Sequence, residues 1–182
     1  RCFIKMYKKK YVWPKPIPEK QIILKEAIGH LPSLESGEDS GIKWHTAKTH
    51  QDRDILAMMH TPTDKSAMVN ETYYPTKING GKVKGFHNTY KRLNWNVPCH
   101  ARTTKSGEIS SHNNVHPGKL KKDGTYSDAR VLTILELLIV ASLPLNWGIP
   151  DWASDRLIRH VIGESVPPLL MKRVLEMLKE EV

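Results

Sequence analysis

The run Ile134-Leu135-Glu136-Leu137-Leu138-Ile139-Val140 constrains the fold of this chain more than any other stretch. Thr133 and Glu136 stand at capping-box spacing, so each side chain can satisfy the other residue's otherwise orphaned backbone N–H. Behind that cap the helix is apolar on nearly every side, so it must be buried all round. Interrupted by Glu136 and ending near Leu143, it is far too short to span a bilayer. A packed core is therefore required. With 182 residues, 39% of them hydrophobic, and five Trp, the chain can build one domain, or a small domain plus an appendage.

Further helices are legible around it. Gln21 to Leu31 carries apolar residues at 23, 24, 27, 28 and 31 and ends near Gly29 and Pro32. Arg53 to His60 reads as a second short helix. Ser154-Asp155 can cap another that runs to Ile162 and is stopped by Gly163. Pro167 and Pro168 sit where a first turn tolerates proline. The last helix then gathers Leu170, Met171, Val174, Leu175 and Leu178 on one broad face. At the other end, Arg1 to Tyr7 mixes apolar and basic residues as a short strand does. Pro14, Pro16 and Pro18 make the piece after it an extended linker.

Between Thr61 and Thr125 no helical period is sustained. Short β pieces are expected at Lys82–His87 and Tyr90–Val97, the first opened by Asn79-Gly80-Gly81. An irregular stretch this long is mostly functional in compact proteins. Its charge suggests a role. Residues 82–122 hold nine Lys/Arg against the single acid Glu108, within a chain of net charge +9. Such an excess suits a polyanion, because each phosphate neutralised releases condensed counterions. It equally suits a solvated face kept for solubility, and charge alone does not choose.

Cys2 and Cys99 lie far apart, which excludes a disulfide framework and a four-cysteine zinc site and fits a reducing compartment. Nine histidines, among them His100, His112 and His116, lack paired metal-ligand spacing, and no metal site is expected. No secretory signal is visible, so a soluble cytoplasmic protein is expected. The chain begins without Met, in the middle of what reads as a strand, as a fragment or processed product would.

Arg130-Val131-Leu132-Thr133-Ile134-Leu135-Glu136-Leu137-Leu138, closed by Ser142-Leu143-Pro144, is followed 33 residues after Arg130 by Gly163-Glu164-Ser165-Val166-Pro167-Pro168. This pair resembles the last two shared motifs of DNA cytosine-5 methyltransferases, with Glu164 where the family usually has Asn. His116-Pro117 matches a His-Pro common before the first of them. Ala27-Ile28-Gly29-His30-Leu31-Pro32 resembles the Ala-Ile-Gly-Asp-Leu-Pro that follows the family's eighth motif, and Arg1-Cys2-Phe3-Ile4 resembles the end of that motif.

The resemblance implies an α+β chain: a small, irregular, β-containing target-recognition domain plus C-terminal helices that complete a Rossmann-like methyltransferase domain. Residues 1–13 would be an end strand of the catalytic portion, 14–125 the recognition region, and 126–182 helices packing back on the catalytic domain. Arg130 would tether the recognition region to the scaffold through backbone carbonyls, a task suited to a planar five-donor fork. Gly163, Glu164, Ser165 and Val166 would form a turn holding the methionine carboxylate of S-adenosyl-L-methionine at the start of the last helix.

Aligned on Trp95-x-x-Pro98, the family's Thr-led dipeptide near the flipped base falls on Ala101-Arg102, with Thr103 and Thr104 just after. Thr103 is the candidate for that role, and Arg92, Arg102, Lys105 and Lys119 are candidates for phosphate or base edges. Pro98-Cys99-His100 echoes the family's nucleophile motif but stands after the recognition region, without the Glu-Asn-Val partner. No catalytic residue is therefore expected in this chain. The expected partners are double-stranded DNA and either a second polypeptide or a catalytic portion preceding residue 1. The rival expectation is a stand-alone basic DNA-binding or interaction protein derived from such an enzyme.

Overall fold

A computed structural model describes residues 20–111 and 113–179. The expected strand at 1–7 and linker at 14–18 lie outside them. Among the described residues there are five α-helices: α1 (Leu24–Ile28), α2 (Asp52–Met59), α3 (Ile134–Val140), α4 (Asp155–Glu164) and α5 (Pro168–Lys179). A 3-10 turn spans Ala67–Val69.

Helix α3 is the centre of the molecule. Thr133 Oγ1 accepts the Glu136 N–H at 3.2 Å, and Glu136 Oε2 accepts the Thr133 N–H at 2.7 Å, which closes the capping box. Ile134 through Leu138 are buried. The cover comes from this chain itself: α1 and α4 both pack on α3, and Leu24, Ile28, Leu93, Leu132, Ile158 and Ile162 share its core. Residues of α1 and α4 thus cover the first five positions of α3, while Ile139 and Val140 stay partly exposed.

The first turn of α1 is satisfied from the middle of the chain. Leu24 and Lys25 donate their N–H groups to Val97 O and Trp95 O, both at 2.9 Å. In α4, Ser154 Oγ accepts the Leu157 N–H at 3.2 Å, as its capping position predicts. Gly163 does not stop this helix. It lies inside α4, and the chain turns only at Ser165.

A second core gathers Ala57, Met58, Ala67, Tyr90, Ile109, Val115, Ala129 and Val131 under the irregular middle. The expected strands at 82–87 and 90–97 are reduced to isolated bridges among the described residues, including Thr76 with Lys82, Ser66 with Lys91, and Arg92 with Val115. Tyr90 adopts a left-handed backbone, φ 50°, and an extended ladder cannot start through such a residue. Loop hydrogen bonds hold this lobe where a sheet was expected.

Candidate nucleic-acid interface

The lobe is held from inside by arginines that the charge pattern alone assigns to its surface. Arg92 is fully buried. Its Nε donates to Thr61 O at 2.8 Å, Nη1 to His116 O and Pro117 O at 2.6 and 3.0 Å, and Nη2 to Met58 O. The guanidinium lies 4.4 Å from the centre of the Tyr126 ring. Burial lowers its pKa to about 10. Arg92 is therefore not a phosphate or base contact, because carbonyls of the lobe occupy all three nitrogens. Arg102, also buried, donates Nε to His100 O at 2.8 Å and Nη1 to Asn113 O at 3.1 Å. It too is an internal brace rather than an exposed reader.

Lys105, Lys119, Lys121 and Lys122 do reach solvent, as do Lys77, Lys82 and Lys84 on the neighbouring loop. Lys82 and Lys84 belong to the basic run 82–122 and Lys77 stands just before it. Lys105 and Lys121 stand 3.9 Å from Glu108 and 3.6 Å from Glu35, exposed pairs that cost little to open.

Thr103 is half-buried and stands next to α4. A β-carbon added at Gly163 would lie 2.2 Å from Thr103 C, 2.3 Å from Thr103 O and 2.3 Å from Thr104 N. The structure thus brings together two sequence-predicted residues from separate motifs. What makes glycine necessary at 163 is this close approach, not a turn.

The turn after α4 is bonded within the chain. Ser165 donates its N–H to Val161 O at 2.9 Å and its hydroxyl to Ile162 O at 2.7 Å. Pro167 and Pro168 have no N–H, and Leu169 donates its own to Ser142 Oγ at 3.2 Å. Glu164 adds a carboxylate, paired with His160 at 3.2 Å. Both of these Ser165 donors are thus turned onto carbonyls of α4.

Between lobe and helices lies a buried polar cluster. Arg130, fully buried, forks Glu136 with Nη1 to Oε2 at 2.8 Å and Nη2 to Oε1 at 2.9 Å. It also donates to Leu34 O at 2.8 Å and Val131 O at 3.1 Å, and reaches Asp128 Oδ1 at 3.3 Å. Carbonyls are thus part of its bonding and a carboxylate fork the larger part. His116 fills the space between the acids, Nδ1 3.7 Å from Asp128 and Nε2 3.5 Å from Glu136. Its Nδ1 accepts the Gly118 N–H at 3.1 Å, so the ring proton belongs on Nε2, facing Glu136. Burial pushes His116 down to about 4. Burial alone would raise Asp128 and Glu136. The charges and donors around them, His116 foremost and then Ser127 for Asp128 and Arg130 for Glu136, prevail and hold both near 2.

The described residues thus form a cation-bearing, irregular lobe braced on a capped helical scaffold. The chain belongs to the C-5 cytosine-specific DNA methylase family, whose model matches residues 1–180. It is similar to Type II methyltransferase M1.HgaI of Avibacterium volantium, 48% identical over 174 residues, which covers 96% of this chain and 49% of that protein. Type II methyltransferase M.AquIB of Picosynechococcus sp. is 30% identical over 116 residues, 57% of this chain and 74% of that protein. The chain spans about half the length of M1.HgaI. No helix among the described residues is long and apolar enough to cross a membrane.

Proposed function

We propose that this chain is the target-recognition and C-terminal portion of a DNA (cytosine-5-)-methyltransferase of restriction–modification type. The reaction moves a methyl group from S-adenosyl-L-methionine to C5 of a cytosine flipped out of the duplex. The family match across residues 1–180, on a chain about half as long as M1.HgaI, carries the reading. The recognition region occupies the span 14–125 and presents Lys105, Lys119 and Thr103 to double-stranded DNA. Residues 126–182 form the helices that pack back on a catalytic portion. That portion supplies the nucleophile and holds most of the cofactor, and this chain alone is inactive.

Helix α5 supports the partner. Leu169, Leu170 and Leu175 are 56%, 41% and 50% exposed along it, an apolar face with room for a second surface. The rival reading, a stand-alone DNA-binding protein, draws on the way α1 and α4 close the core around α3 without outside help.

Mixing the chain with a polypeptide carrying the rest of the family's catalytic domain separates the two. Transfer of labelled methyl from S-adenosyl-L-methionine to DNA, absent from either component alone, is the result expected. A monomer that binds DNA and never complements supports the rival.

A further inference from the structure

Arg159 and Gly163 stand four residues apart on one face of α4, and the loop from Arg102 to Glu108 lies across that face. The atoms that a β-carbon at Gly163 would overlap, Thr103 C, Thr103 O and Thr104 N, all belong to the backbone. No rotamer change relieves such an overlap. Seen from the other side, a β-carbon at Gly107 would lie 2.7 Å from Arg159 Cδ. Helix and loop therefore meet through two bare glycines, one contributed by each.

The loop is tied together by its own hydrogen bonds and held by two side chains from outside it. Ser106 donates its hydroxyl and its N–H to Thr103 O at 2.6 and 3.2 Å. Asn114 Nδ2 donates to Lys105 O at 3.0 Å and Glu108 O at 2.8 Å, and Lys48 Nζ donates to Gly107 O at 2.9 Å. On this braced loop Lys105 projects outward, its side chain 66% exposed. Lys105 donates its N–H to Thr103 Oγ1 at 3.3 Å, so displacing the Thr103–Thr104 peptide from α4 would displace Lys105 with it.

We infer that Gly163 is a positioning residue for DNA recognition: its missing side chain sets how deeply the loop 103–107 seats on α4, and so where Thr103 and Lys105 meet the duplex. The inference rests on the reading of this lobe as the DNA-facing one.

Its test is a salt series of fluorescence titrations with a mixed-sequence DNA duplex, using the full chain and three variants. Gly163→Ala is expected to raise Kd about tenfold and to lower the slope of log K against log salt by about one, the share of a single lysine–phosphate contact. Gly107→Ala is expected to act in the same direction but less, since the Arg159 methylene can yield. Gly148→Ala is the control, because a β-carbon there meets nothing within 4 Å, and its binding is expected to match the parent chain. Should Gly163→Ala fail to fold, the slope of Gly107→Ala decides. A purely structural role would reduce the fraction of competent protein and leave Kd and slope of the remainder unchanged. That outcome, or parental slopes in both variants, overturns the inference. A parent chain that binds no duplex removes the DNA reading itself.

Discussion

Arg130 and Glu136 meet as a guanidinium fork on a carboxylate, with both hydrogen bonds below 3 Å and neither side chain reaching solvent. The same carboxylate closes the cap of α3 through the Thr133 N–H. One buried acid thus joins the start of the central helix to the segment leaving the irregular lobe, and Asp128 and Leu34 extend the joint to the loop after α1. Removing one partner leaves a buried charge uncompensated. Arg130→Ala or Glu136→Gln is expected to cost about 3–5 kcal/mol in denaturant unfolding. The double variant Arg130→Ala/Glu136→Gln should lose clearly less than the sum of the two single variants. Strict additivity would mean that the pair does not act as a unit.

Acid should destabilise the protein in two stages. His116 and His50 are pushed down to about 4 from 6.5, in both cases mainly by burial. The unfolded chain then binds more protons than the native one between those values, so their stability is full above about 6.5 and fades as pH falls towards 4. For His116 alone the loss is about 3 kcal/mol. Asp128 and Glu136, held near 2, add a second loss below their ordinary range. A melting temperature that falls steadily from pH 7 to 4, less steeply in His116→Asn, is the expected profile. A flat profile across that range would contradict the buried neutral histidine.

Neutralising Lys105, Lys119, Lys121 and Lys122 together should reduce the salt dependence of duplex binding, by up to about one unit of slope per lysine that meets a phosphate. The fold should survive, since all four are exposed. An unchanged slope would take this segment off the DNA surface.

Arg92→Ala should do the reverse. Its carbonyl partners Thr61, Met58, His116 and Pro117 lose a buried donor, at a cost of about 3 kcal/mol or more to folding. The salt slope of the protein that still folds should match the parent chain. A reduced slope with full stability would restore Arg92 to the interface.

What could be read from sequence was local. Thr133 with Glu136 and Ser154 marked the starts of α3 and α4, because caps act within one turn of their own residue. Gly163 was misread as a helix stop, since the Thr103–Thr104 peptide that requires it comes from sixty residues away. Arg92 and Arg102 were misassigned for the same reason: counting charge does not reveal carbonyls that fold around a guanidinium. The strand expected from Tyr90 onward failed at one left-handed residue, and the basic segment hides its architecture in loop hydrogen bonds that no periodicity reports.

The most direct test of the account is complementation. The chain is combined with a polypeptide bearing the rest of a cytosine-5 methyltransferase domain, and methyl transfer from labelled S-adenosyl-L-methionine to DNA is measured against each component alone. 5-Methylcytosine is expected only in the mixture. Equal transfer by this chain alone, or none in a mixture whose components demonstrably associate and bind DNA, would contradict it.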